Sequence, residues 1–123
     1  GIGLFGAKMN HKVYMLDYQH KVLFGGVLAH ELLHVWQNEH RTSLPQNYCE
    51  GFCNLGTYLF YGYLDNELSK IHMEQMMKNP DPIYGDGFRE VKQIFETEGG
   101  RNLEKTIQIL QTKAKRSRKI FRL

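Results

Sequence analysis

The sequence predicts a small α+β domain that is mostly helical, with a short sheet element near its start. Three observations predict this class. The chain has 123 residues, which suits one compact domain. Five segments after residue 26 have helical character and are separated by loop-forming residues, whereas one earlier segment has the residue types of a strand. Its composition, 41% hydrophobic and 24% charged, is typical of a globular protein.

The strand is predicted over residues 12–17, where apolar residues, including a β-branched and an aromatic one, stand between Lys12 and Asp17. One strand cannot form a sheet alone. We therefore expect partner strands from short segments elsewhere or from sequence upstream of Gly1, since the chain does not begin with Met. The first residues do not have the pattern of a signal peptide.

The helices follow the glycine pair Gly25-Gly26 and are separated by loop compositions. Residues 41–47 include Thr-Ser-Leu-Pro-Gln-Asn, residues 79–82 are Asn-Pro-Asp-Pro, and Gly99-Gly100 ends another segment. The predicted helices cover about 27–37, 48–66 and 67–77, then a segment that residues 84–88 lead into and that ends at Phe95, and finally 102 onward, into the C-terminal tail.

Charge is unevenly distributed along the chain. Residues 113–123 hold six basic residues and no acidic one, leaving ten basic and thirteen acidic residues elsewhere, a net charge of −3. We therefore divide the chain into a domain, residues 1–112, and a basic tail, residues 113–123. With a mildly acidic domain, nucleic acid is an unlikely partner despite the overall charge of +3. No apolar stretch reaches the length of a membrane span.

The two cysteines, Cys49 and Cys53, are four residues apart in a predicted helix. Both would lie on one face, where a disulfide is geometrically awkward. Two thiols also do not make a disulfide framework. We therefore expect a reducing environment and a cytoplasmic protein.

Residues 29–34 contain the pattern His-Glu-x-x-His. On a helix, His34 lies about 40° around the axis from His30, and Glu31 about 100° from it. The two imidazoles can therefore share a metal ion, while Glu31 can reach a water beside it. Zinc accepts nitrogen ligands and, in catalytic sites, keeps one position open. Glu31 would then accept a proton from the attacking water.

The pattern also has a simpler interpretation, since it occurs by chance on surface helices as solvated polar residues. Apolar flanks argue against this, because burying three ionisable groups without partners costs several kcal/mol. A non-catalytic zinc site could use the same residues.

A third ligand must come from elsewhere in the chain. Glu50 would complete a His₂Glu site with an open position, whereas a cysteine is more typical of structural zinc and both cysteines suit a small core position. Spacing favours Glu50 only modestly. The candidates are His40, Cys49, Glu50, Cys53 and His72.

Four segments occur in an order that resembles a known family. They are residues 30–36, 41–42, 49–53 and 84–89, and the resemblance spans roughly residues 22–110. It is to the peptidase domain at the C-terminus of the plant LIM-domain organ-size regulators, ubiquitin-activated proteases that have standalone relatives outside plants. No LIM or ubiquitin-interacting segment is present, so ubiquitin activation does not carry over.

The resemblance implies a zincin-like domain with a zinc-binding active-site helix and one catalytic Zn²⁺. His30 and His34 would bind the zinc ion, Glu31 would be the general base, and Glu50 the glutamate ligand of a gluzincin-type site. Tyr84 ranks first as the catalytic oxyanion stabiliser because it lies in a matching segment. The other candidates for that role are His72, Arg89 and Tyr48.

Further roles follow from position in the chain. Gluzincin-type sites, which the resemblance implies, usually bind an extended peptide along an edge strand before the zinc helix, so the predicted strand at residues 12–17 would be that edge or an ordinary core strand. Asp86 would cap the next helix, and Arg89 would pair with a nearby acid. A carboxylate should orient one zinc histidine, and the sequence does not identify it.

The resulting prediction is a zinc-dependent metalloendopeptidase acting on peptides or proteins. The alternatives are a non-catalytic zinc-binding module for protein interaction and an adaptor for nucleic acid or membranes that acts through residues 113–123. The oligomeric state is left open.

Overall fold

The computed structural model describes the backbone of residues 2–122 and the side chains of residues 17–120. Over that range the chain forms five α-helices and one π-helical turn, Pro82–Asp86, with no strand. The helices are α1 (Ile2–Glu39), α2 (Gln46–Leu64), α3 (Glu67–Lys78), α4 (Gly87–Glu96) and α5 (Leu103–Arg122).

The predicted α+β class is wrong, because residues 12–17 lie inside α1. A short apolar run fits a strand and a buried helical segment equally well. No Pro or Gly occurs between residues 7 and 24, so nothing in the chain interrupts a helix there. The peptide-binding edge strand predicted at this place is therefore also wrong.

The glycine pair lies within α1, so the predicted helix start at Val27 is wrong as well. A methyl group at Gly25 would overlap the ring of Phe60, and one at Gly26 would overlap the hydroxyl group of Tyr61. These glycines therefore allow α2 to approach α1 closely and do not mark a turn.

Helices α1 and α2 form an antiparallel hairpin. Arg41 adopts a positive φ of 52° in the loop, and the backbone N and Oγ1 of Thr42 both donate to the Gln37 carbonyl, at 3.0 and 3.1 Å. At the far end, Thr57 Oγ1 donates to the Gly26 carbonyl at 2.7 Å. These bonds fix how α2 is aligned along α1.

The hydrophobic core lies between α2, α4 and α5. Leu33 and Trp36 of α1 pack against it. At Gly51, a Cβ would lie 2.6 Å from the carbonyl oxygen of Gly87, so α2 and α4 meet there by their backbones. The buried core residues are Phe52, Leu55, Val91, Ile94, Phe95, Ile107 and Leu110.

Arg89 joins α3 to α4. Its Nη1 donates to the carbonyl groups of Met77 and Asn79, at 2.9 and 2.8 Å, and its Nη2 pairs with Asp86. Asp86 holds the N-cap position of α4, yet its side chain does not bond the helix amides. It interacts with Arg89 instead.

The basic residues of segment 113–123 continue α5 without interruption as far as Arg122. Ala114 is buried, and Lys113 lies 3.9 Å from Glu98 in an ion pair. None of the helices, over the residues searched, is both long and apolar enough to cross a membrane.

Candidate metal centre

Three side-chain atoms from α1 and α2 converge on one point. His30 Nε2 lies 3.0 Å from Glu50 Oε2, His34 Nε2 lies 3.2 Å from the same oxygen, and the two nitrogens are 3.2 Å apart. The three side chains are between 17% and 27% exposed, so the cluster is shielded but open to solvent. The structure thus brings together the two histidines of the motif and Glu50, one of three candidates for a third ligand that lie near them.

Local structure explains this convergence. The four-residue spacing of His30 and His34 places the rings on one face of α1, with centroids 4.9 Å apart. Glu50 lies near the start of α2. Next to it, Gln37 Nε2 donates to the Cys49 carbonyl at 3.3 Å and to Cys53 Sγ at 3.2 Å, which holds this turn of α2 against α1.

Asn54 determines which nitrogen of His30 carries the proton. Its Nδ2 donates to the Tyr84 carbonyl at 3.1 Å, so its Oδ1 must be the atom that faces His30 Nδ1, at 2.9 Å. An amide oxygen only accepts, and Nδ1 therefore donates. In the neutral ring this leaves a lone pair on Nε2, directed towards Glu50 and His34.

Such an arrangement requires a positive charge at its centre. Nε2 of neutral His30 and a carboxylate oxygen are both acceptors, and at 3.0 Å they repel unless a proton or a cation lies between them. A proton can bridge two of the three atoms. A metal ion satisfies all three at once.

The spacing of the three atoms fits zinc. Ligand atoms about 2.0–2.1 Å from a tetrahedral zinc ion lie about 3.3 Å from one another. The observed separations of 3.0–3.2 Å are close to that value. Two imidazoles and one carboxylate also form a ligand set that leaves the fourth position open, as in catalytic sites.

Both cysteines lie near the cluster. Cys49 Sγ is 3.8 Å from His34 Nδ1. Potential ligand atoms of His30, His34 and Cys53 lie within 4.8 Å of one another, as do those of His34, Cys49 and Glu50. Burial, and next the charge of Glu50, raises the pKa of the Cys49 thiol. Burial also raises the pKa of Cys53, so in the absence of a metal ion both side chains favour the protonated thiol.

The predicted general base, Glu31, follows His30 directly and is exposed. Among described residues it has no hydrogen-bond partner, so its carboxylate is free to act on a solvent molecule.

The candidate oxyanion stabilisers lie in different places. Tyr48 donates its hydroxyl hydrogen to Glu90 at 2.9 Å. The guanidinium group of Arg89 donates to the Met77 carbonyl of α3 and pairs with Asp86. Tyr84 is 42% exposed and contributes its carbonyl to Asn54. His72 stacks on Tyr61 and is not among the grouped metal-binding side chains of the described residues.

His40, the remaining candidate ligand, is likewise not among the grouped metal-binding side chains of the described residues. It stacks on Trp36 at 4.2 Å, near the end of α1.

Sequence reasoning missed Asn54. A carboxylate was expected to orient one of the histidines, whereas the residue that bonds His30 Nδ1 carries an amide. The signal was present, since Asn54 follows Glu50 by four residues and so lies on the same face of α2.

Replacing Asn54 with Ala is expected to lower zinc affinity about 10- to 100-fold, the usual effect of losing a side chain that orients a ligand. Competition with a chromophoric chelator measures this. Asn38→Ala removes an exposed amide from α1 and serves as the control. If the two variants bind zinc with equal affinity, Asn54 does not support the metal centre.

Comparison of the chain with protein-family models, with curated proteins and with solved structures gave no match. The family resemblance of the motifs therefore stays an expectation.

Proposed function

We propose that the chain is a zinc-dependent peptidase that hydrolyses peptide bonds. The observation that carries this proposal is the convergence of His30 Nε2, His34 Nε2 and Glu50 Oε2 within 3.0–3.2 Å of one another, with an exposed Glu31 next to His30 in the sequence. The donor set and its spacing support zinc, and the open position supports catalysis rather than a purely structural role.

Each residue has a distinct task. His30, His34 and Glu50 hold the metal, and Asn54 keeps the Nε2 lone pair of His30 directed at it. Bound zinc supplies a Lewis acid that polarises a carbonyl group and lowers the pKa of a neighbouring water to about 7. Glu31 accepts the proton of the attacking water and then passes it to the leaving amine.

The surroundings of Glu31 suit a polypeptide substrate. Leu28, Leu32 and Val35 lie near it on α1 and are 46%, 57% and 50% exposed. Exposed apolar surface of this kind offers contact to the side chains of an extended peptide. Tyr84 is the candidate for stabilising the oxyanion, because the residue is 42% exposed and its hydroxyl has no hydrogen bond to a described residue.

The second candidate function is a non-catalytic zinc-binding module for protein interaction. The closeness of Cys49 and Cys53 to the histidines favours it, since thiolate ligands are typical of structural zinc. Both functions require zinc, and hydrolysis distinguishes them.

Protein purified without chelator is expected to contain about one zinc ion per chain, measured by elemental analysis, and to cleave a fluorescently labelled unfolded protein. Chelation should stop cleavage, and added zinc should restore it. Zinc binding without cleavage would favour the interaction module. If added zinc does not bind at all, both functions fail.

A further inference from the structure

Helix α1 has apolar residues on two opposite faces. On one face, Leu33 and Trp36 pack against the hydrophobic core. The other faces solvent and carries a row of side chains that we call the outer stripe: Phe24, Leu28, Leu32 and Val35. A surface helix normally has polar residues on its outer face. The apolar outer face of α1 therefore indicates a surface that binds a partner.

The outer stripe lies on a different side of α1 from the metal centre. Its four residues are 46–67% exposed. They are three or four positions apart, so at about 100° per residue they lie within about 80° around the helix axis. His30 and His34 lie about 120° or more from the middle of the stripe. A partner on the stripe would therefore leave the metal ligands open.

Opposite charges lie at the two ends of the outer stripe. Lys21 precedes its first residue by three positions, and Glu39 follows its last residue by four, so both lie on the same side of α1 as the stripe. Both are exposed. Lys21 pairs with Asp17 at 3.1 Å, and their side chains are 75% and 57% exposed, which leaves Lys21 accessible to a second carboxylate.

One two-fold axis at the level of His30 accounts for all these positions. In an antiparallel pair of identical helices, residues equally far on either side of such an axis meet. Lys21 and Glu39 are each nine residues from His30, and Leu28 and Leu32 are each two residues from it. The outer two members of the stripe are six and five residues away. Apolar residues would thus meet apolar residues, and each charge its opposite.

The area of this surface suits a weak dimer. A residue of this size exposes on the order of 200 Å² when fully accessible, so the outer stripe presents roughly 450 Å². The long side chains of Lys21 and Glu39 extend it to about 700 Å², compared with about 800 Å² per partner in a standard interface. A dimer of this size should dissociate on dilution.

We propose that the outer stripe binds a second copy of this chain and forms an antiparallel α1–α1 dimer. This inference does not rest on the proposed function. In that function Leu28, Leu32 and Val35 also offer contact to a substrate, so a second copy and a substrate would compete for them. At the submicromolar concentrations of a cleavage assay the dimer dissociates, and the stripe is open.

Sedimentation velocity between about 1 and 500 µM, with and without zinc, is expected to show a monomer–dimer equilibrium with a Kd of roughly 10–100 µM, as suits a small interface. Leu28→Glu places a charge in the stripe and should raise the Kd at least about tenfold. Ile71→Glu is the matched control, because it makes a similar change at a residue of α3 that is 48% exposed, and it should leave the Kd unchanged. Thermal unfolding verifies that both variants fold.

Charge reversal tests the antiparallel arrangement and leaves the apolar residues in place. Lys21→Glu and Glu39→Lys should each raise the Kd about three- to tenfold, because each places like charges opposite one another at both ends of the dimer. The double variant restores opposite charges and should return the Kd to within about twofold of the parent. Glu74→Lys, on an exposed position of α3, is the control and should not change the Kd.

Three results would overturn the inference. The first is a monomer at every concentration, or aggregation without a defined dimer. The second is a Leu28→Glu variant that dimerises like the parent, and the third is a double charge reversal that fails to restore the dimer. A monomer that binds an apolar peptide, with this binding lost in Leu28→Glu, would assign the stripe to the substrate instead. None of these results depends on whether zinc binds or peptides are cleaved.

Discussion

Glu31→Gln is expected to keep one zinc ion per chain and to lower the rate of peptide hydrolysis by about 10²- to 10⁴-fold, the usual contribution of a general base. Glutamine has nearly the same shape but cannot accept a proton at neutral pH. Since Glu31 is exposed and belongs to no hydrogen bond among the described residues, the fold should not change. Zinc content, the thermal unfolding midpoint and cleavage rate are measured on the same preparation.

Glu39→Gln is the matched control for this variant. It makes the same chemical change at another exposed position of α1, about two turns beyond Glu31. It should cleave as fast as the parent. If Glu31→Gln also cleaves at the parental rate with zinc bound, Glu31 is not the general base, and another group must activate the water.

Glu50→Ala is expected to weaken zinc binding by more than 100-fold, which exceeds the effect of losing a residue that only orients a ligand. Its carboxylate oxygen lies 3.0 Å from His30 Nε2 and 3.2 Å from His34 Nε2, so its loss leaves two ligands. A ligand stabilises the native state more, the more tightly it binds. Zinc should therefore raise the unfolding temperature of the parent much more than that of this variant.

Two further variants make this experiment specific. Glu74→Ala removes an exposed carboxylate from α3 and should bind zinc like the parent. Cys53→Ala tests the buried thiol that lies close to both histidines. Loss of zinc in Cys53→Ala together with normal binding in Glu50→Ala would replace the His₂Glu centre with a cysteine-containing one, as expected of a structural site.

The helical start of the chain changes how a substrate is expected to bind. A strand at residues 12–17 would have offered backbone hydrogen bonds to an extended peptide. Because this segment is helical, its backbone groups bond one another along α1. In the proposed function, side chains would then provide the substrate contact, which gives the exposed apolar residues around Glu31 greater importance.

Features set by neighbouring residues could be predicted from the sequence alone. The third helix is predicted over 67–77, and α3 spans Glu67–Lys78; the second is predicted over about 48–66, and α2 spans Gln46–Leu64. Pro45 precedes the second segment and Pro80 follows the third, and a proline limits where a helix can extend. The shared face of His30 and His34 follows directly from their spacing along a helix.

Only the tertiary structure decided the rest, because it depends on which distant residues meet. Nothing near residues 12–17 distinguishes strand from helix, and Gly25-Gly26 has the composition of a turn until Phe60 and Tyr61 are packed against it. Likewise, the sequence left five candidates for a third ligand, and only the alignment of the α1–α2 hairpin shows that Glu50, Cys49 and Cys53 lie near the histidines. Asn54 became recognisable in the same way, since its partners His30 and Tyr84 are 24 and 30 residues away along the chain.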